Sequence, residues 1–133
     1  MSGVVRRFFF GLNILWRLHL NTIEITRLII EALEEKKAEN IVLLDIHEIA
    51  SFTDYFIICS GTSDRMIDSL ADAVLENAKH KVDLLGKKEG QASSGWVLVD
   101  FGDIIVHLFS PDQRDYYRLE QLWEKGKVLI HVQ

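Results

Sequence analysis

Late in the chain, the segments WVLVDF and IIVHLF flank the dipeptide Gly102-Asp103. Two apolar runs of strand length on either side of a two-residue turn predict a β-hairpin, because Gly102 can take the positive φ that such a turn demands. The turn also fixes the register, since side chains alternate faces along each strand. Phe101 then lies opposite Ile104, Val99 opposite Val106 and Val97 opposite Leu108, so one face is wholly apolar and belongs in a core. The other face pairs Asp100 with Ile105, Leu98 with His107 and Trp96 with Phe109. A carboxylate, an imidazole and an indole among aliphatics make this the face on which to seek function.

A chain of 133 residues, 48% of them apolar, suffices for one domain with its own core. A single cysteine, Cys59, excludes an internal disulfide and leaves a reducing cytoplasm as the expected location. Residues 1–20 carry Arg6, Arg7 and Arg17 and no acid, which leaves 12 basic against 20 acidic groups, a net −8, in residues 21–133. The Lys and Arg clusters that displace counterions from phosphates are missing, so the charge suits a basic protein partner better than bare nucleic acid. The N-terminal run VVRRFFFGLNILWRLHL has an arginine pair before an apolar stretch, as a signal peptide does. Arg17 and His19 nevertheless stand where a small-residue cleavage site belongs, and the stretch is too short to span a bilayer. Residues 1–20 are therefore read as an extension with three open explanations: sequence upstream of the true start, an extra element packed on the domain, or an interfacial anchor. The domain proper is expected over residues 21–133.

Within it, Asn21 and Glu24 form a capping box ahead of apolar residues at helical spacing, predicting a helix from about Thr22 to Ala38. Strands are expected at Ile41–Ile46 and Tyr55–Ser60, the latter apolar enough to be buried on both faces. Thr62 or Ser63 caps a helix whose stripe is Met66, Ile67, Leu70, Ala71, Val74 and Ala78. Val82–Leu85 reads as a short strand and residues 86–95 as an exposed loop. After the hairpin, Ser110-Pro111-Asp112-Gln113 starts a last helix with Tyr116, Leu119, Leu122 and Trp123 on its apolar face. Residues 128–132 are either a terminal strand or a tail. The expected fold is α+β (α/β in the broad sense): a single domain with a mixed sheet of about five strands flanked by helices.

Two constellations could carry chemistry. Gly61-Thr62-Ser63-Asp64 joins a strand to a helix, where backbone amides can bind phosphate, but the Gly-Lys-Ser/Thr ending of a P-loop is missing. A similar turn occurs in nucleotidyltransferases, whose paired acids hold metal ions. Here Asp100 is the acid on offer, since Asp103 is accounted for by the turn itself. Capping is the plainer role for Thr62 and Ser63. Asp100 and His107 are diagonal neighbours on one sheet face, within expected reach of a charge-assisted hydrogen bond, but no nucleophile stands beside them. Cys59 sits in a strand read as buried, and the histidines are scattered without metal-ligand spacing. Trp96 is core if a helix covers its face and an interface anchor if none does; Leu98, Asp100 and His107 beside it tilt the reading toward an interface. Arg65, unfavourable in the first turn of its helix, predicts an acidic neighbour, Asp54 or Asp64.

The string Thr53-Asp54-Tyr55-Phe56-Ile57-Ile58, then Gly61-Thr62-Ser63-Asp64-Arg65, Glu89-Gly90, Gly95-Trp96, Asp100-x-Gly102-Asp103, His107 and Tyr117-x-Leu119-Glu120-x-Leu122-Trp123 closely resembles the ribosomal silencing factor family, also called Iojap or RsfS. The motifs agree in order over about residues 21–126. The resemblance implies a protein that is not an enzyme and has no cofactor or metal. It implies binding to the large ribosomal subunit through its protein number fourteen, a basic protein, and a steric block to subunit joining that represses translation; organellar relatives act in large-subunit assembly. It also implies a topology related to nucleotidyltransferases without their catalytic acids. The residues carried over to the contact surface are Trp96, Leu98, Asp100, Asp103, His107 and Tyr117. A nucleotidyltransferase-like enzyme using the Gly61–Ser63 turn and Asp100 is the alternative, and a homodimer formed through the Trp96 face is a third reading.

Overall fold

The computed structural model describes residues 21–133, apart from the side chain of Leu122; the expectations for residues 1–20 lie outside the described residues. Helix α1 (Thr22–Glu35) starts on Asn21, whose side chain accepts from the Glu24 amide, and it stops before Lys37, which takes a positive φ. It is thus three residues shorter than its apolar pattern predicts. Strand β1 (Glu39–Asp45) and strand β2 (Tyr55–Ser60) pair antiparallel. Helix α2 (Asp64–Val82) is capped by Ser63, whose Oγ accepts from the Met66 amide.

Beyond this point two expectations are corrected. Val82 is the last rung of the α2 stripe, four residues after Ala78, so residues 82–85 are a helix end and a turn and not a strand. The strand lies instead inside the expected loop, as β3 (Lys87–Gln91), followed by a 3-10 turn at Ala92–Ser94. All five residues of β3 are exposed, so no apolar pattern announces it; it is held by backbone pairing with β4 (Trp96–Asp100) and by Lys88, which reaches Asp68 and Asp72 on α2.

The hairpin of β4 with β5 (Ile104–Phe109) has the register expected, with Trp96 opposite Phe109, Leu98 opposite His107 and Asp100 opposite Ile105. Gly102 sits in its turn at φ +89°. The expected single C-terminal helix is two: α3 (Pro111–Tyr117), capped by Ser110, and α4 (Leu119–Leu122), separated by Arg118 in the left-handed region at φ +48°. The break lets Leu119 turn into the core while Tyr116, expected on the apolar face, stays 78% exposed. The chain ends in β6 (Lys127–Val132), antiparallel to β1, so the terminal segment is a strand.

The sheet therefore has six strands in the order β3-β4-β5-β2-β1-β6, with β2 and β5 the parallel pair, and the fold is a single-domain α+β architecture. One face, with Ile41, Leu43, Ile57, Cys59, Val97, Val99, Val106 and Leu108, is covered by α1 and α2 and forms the main core. The opposite face holds a smaller cluster of Val42, Leu44, Ile58, Phe56 and Phe109 under Leu119. Both long helices lie on the first face, so among the described residues the β4-β5 part of the second has beside it only the short helices α3 and α4.

Candidate functional site

The open face is a run of rings. Phe56 on β2 meets His107 on β5 at a centroid distance of 4.5 Å, edge to face. His107 lies 5.8 Å from Trp96, which stacks on Phe109 at 5.0 Å and meets Tyr117 of α3 at 4.6 Å. At the other end, Phe52 of the β1-β2 connection and Trp123 pack on Phe56 at 6.1 and 5.6 Å. The middle of this series is buried and its ends are open: Phe109 and His107 are 0% and 5% exposed, whereas Tyr117 and Phe52 are 41% and 57%. Aromatic residues half-sunk in a sheet in this way are rigid, which is what an interface anchor requires.

Trp96 is half-buried, so neither extreme expected for it holds. Its indole Nε1–H donates to Nδ1 of His107 at 3.1 Å. That bond requires His107 to be neutral with its proton on Nε2, and burial pulls its pKa down to about 4 from 6.5. Nε2 has no hydrogen-bond partner and no solvent access, an arrangement that costs on the order of 1–3 kcal/mol.

The hydrogen bond expected between Asp100 and His107 is not formed. Each has taken a nearer partner: the Asp100 carboxylate accepts from the Gly102 amide at 2.7 Å, closing the hairpin turn, and His107 accepts from Trp96. Asp100 and Leu98 are half-buried on β4, and Asp103 is exposed in the turn, where its carbonyl accepts from the amides of Asp54 and Tyr55. Trp96, Leu98, Asp100, His107 and Tyr117 thus share one face, with Asp103 at its edge.

The alternative catalytic constellation is not brought together. The Gly61 amide donates to the Phe109 carbonyl, whereas Asp100 pairs with Ile105, four residues back along β5. At about 3.3 Å per residue the two are roughly 13 Å apart, at opposite ends of the strand. Ser63 is occupied as the cap of α2, Thr62 contacts the Met66 sulfur, and a Cβ on Gly61 would press on Ile67 at 3.1 Å, so close packing accounts for this glycine. Burial pushes the Cys59 thiol up to about 12, far from a reactive thiolate. Among the described residues no ion pair joins Arg65 to Asp54 or Asp64, and no group of three acidic, histidine or cysteine side chains could hold a metal ion. No described helix is long and apolar enough to cross a membrane.

Phe52 escapes the sequence reading, and Arg114, which by residue type reads equally as an interface residue or an ordinary helix-surface one, has bonds that the sequence does not specify. Phe52 is a lone aromatic in a polar connection, and that isolation is the signal that could have marked it. Arg114 sits 12% exposed in an open polar groove of about 920 Å³, where it donates to Glu120, to the Asn40 carbonyl at 2.7 Å and to Ser60 Oγ at 3.0 Å. The bonds to Asn40 and Ser60 fasten α3, and with it Tyr117, to β1 and β2, and the bond to Glu120 ties α3 to α4.

The family model described as ribosomal silencing factor during starvation matches residues 19–133. The chain is 39% identical over 104 residues to the ribosomal silencing factor RsfS of Bacillus subtilis, covering 78% of this chain and 88% of that one. It is 33% identical over 99 residues to the mouse mitochondrial assembly of ribosomal large subunit protein 1, covering 72% of this chain and 43% of that protein. A crystal structure of a Chromobacterium violaceum protein superposes with a TM-score of 0.75 at 37% identity, over 84% of this chain and 94% of that one.

Proposed function

The chain belongs to the ribosomal silencing factor family, and from that premise we propose that it acts by occlusion: it docks on the large ribosomal subunit through protein number fourteen and keeps the small subunit from joining. No chemical step is needed. The observation that carries this reading is the open sheet face, where Trp96, Leu98 and Tyr117 offer rigid apolar surface and Asp100 and Asp103 supply negative charge at its rim. Desolvated aromatic anchors within a polar rim are the anatomy of a protein interface, and the −8 charge of residues 21–133 complements a basic ribosomal protein. His107 contributes from beneath this surface, because at 5% exposure it offers a partner almost no area. In this reading the chain works in the cytoplasm.

Co-sedimentation with purified large subunits in low magnesium tests the reading. Asp100→Lys and Tyr117→Ala each reverse or remove a group at the surface, and each should shift the protein from the large-subunit fraction to the top of the gradient while changing the melting temperature by a few degrees at most. Trp96→Ala should lose binding and also some stability, since the indole is half-buried. If both surface variants sediment as the parent protein does, the face is not the docking site.

A further inference from the structure

An imidazole is an expensive way to fill the floor of a sheet face. Phe56, Phe109 and Ile58 surround the position, and a hydrocarbon side chain would pack there without leaving a buried N–H unpaired, as His107 Nε2 is. What an imidazole does at this site and a hydrocarbon cannot is accept a hydrogen bond, and the bond it accepts comes from Trp96 Nε1. Among the described residues the indole is otherwise held by non-directional packing, on Phe109 at 5.0 Å, against Tyr117 at 4.6 Å and on the apolar cluster of this face, and such packing tolerates sliding and rotation of a ring that a directional bond does not. We infer that His107 is a positioning residue for docking: its Nδ1 fixes the rotamer of the Trp96 indole before the partner arrives, so that the ordering of this anchor is completed on folding and not on binding.

This inference rests on the docking role proposed above and deepens it. Immobilising one large side chain on association weakens binding by a factor of roughly three to ten, and that is the advantage the hydrogen bond supplies. His107→Gln keeps an acceptor in reach of the indole, whereas His107→Phe keeps ring packing and removes the acceptor. With purified large subunits as the binding partner, His107→Phe should bind roughly three- to tenfold more weakly and His107→Gln nearly as well as the parent. A filling role alone would give the opposite order, with Phe the better replacement.

The bond can also be read in the unaltered protein, where a nitrogen–nitrogen scalar coupling should connect Trp96 Nε1 and His107 Nδ1 and the indole proton should exchange slowly with solvent. Absence of that coupling overturns the inference whether or not His107→Phe folds, and so does His107→Phe binding as tightly as the parent. Asp100→Lys in the same assay separates the two proposals. If it binds like the parent, the docking face itself is wrong; if it fails to bind while His107→Phe binds fully, only the positioning role is.

Discussion

His107 should make the fold sensitive to acid in a way that can be worked out in advance. Its pKa is near 6.5 in an unfolded chain and about 4 in the folded one, because burial disfavours the imidazolium. Above pH 6.5 both states are neutral and the full stability is present. As pH falls from 6.5 toward 4 the unfolded chain takes up a proton that the folded one refuses, so stability declines by about 1.4 kcal/mol per pH unit and by about 3 kcal/mol in all. For a domain of this size that corresponds to roughly 10 °C in melting temperature, at about 4 °C per kcal/mol. The control is His107→Gln, which cannot titrate. His47 has a pKa raised first by its hydrogen bond to Asp45, so its stabilisation is present at low pH and lost as pH rises; this opposite contribution is common to both proteins and cancels. Urea unfolding of the two proteins at half-unit steps from pH 7.5 to 4.5 should give curves that run parallel above 6.5 and separate below it. Equal slopes throughout would mean that His107 is solvated in the folded protein, and would refute the buried, neutral imidazole on which the Trp96 hydrogen bond depends.

Other consequences can be measured with the same equipment. Arg114→Met leaves the Asn40 carbonyl, Ser60 Oγ and the Glu120 carboxylate without their donor; because Glu120 is 30% exposed and can be partly rehydrated, a loss of about 2 kcal/mol is expected in urea unfolding, and Arg114→Lys should not restore it. Gly95→Ala places a Cβ 2.6 Å from the Ser110 Oγ that caps α3 and 2.5 Å from Gln113 Cγ, at φ +80°, so a loss of about 2 kcal/mol should appear together with weaker large-subunit binding.

The parts of this structure legible in the sequence are those in which one residue's burial dictates its neighbour's. Alternation along residues 96–109 determined the hairpin register and grouped Trp96, Leu98, Asp100 and His107, because a slip by one residue would have turned Val97, Val99 and Val106 outward. Strand β3 was illegible for the converse reason: KKEGQ buries nothing, and the backbone pairing that holds it leaves no trace in side-chain pattern. The apolar residues just before it, Val82 to Leu85, were ambiguous because four residues cannot distinguish a strand from the end of a helical stripe. The break at Arg118 carries no glycine or asparagine to announce its positive φ, and tertiary packing of Leu119 accompanies it. In the candidate site, placement on a common face was predictable but bonding was not. Asp100 and His107 share one face as alternation predicts, yet each accepts from another donor, Asp100 from the Gly102 amide of the turn and His107 from the Trp96 indole across the hairpin, and competition among donors is settled by distances that face alternation does not supply.

The occlusion account is tested most directly by following subunit joining itself. Light scattering of small and large subunits mixed at the magnesium concentration that supports joining should show a saturable decrease in joined ribosomes as the protein is added, with Asp100→Lys leaving the signal at its starting level. Undiminished joining while the protein remains bound to the large subunit would contradict it.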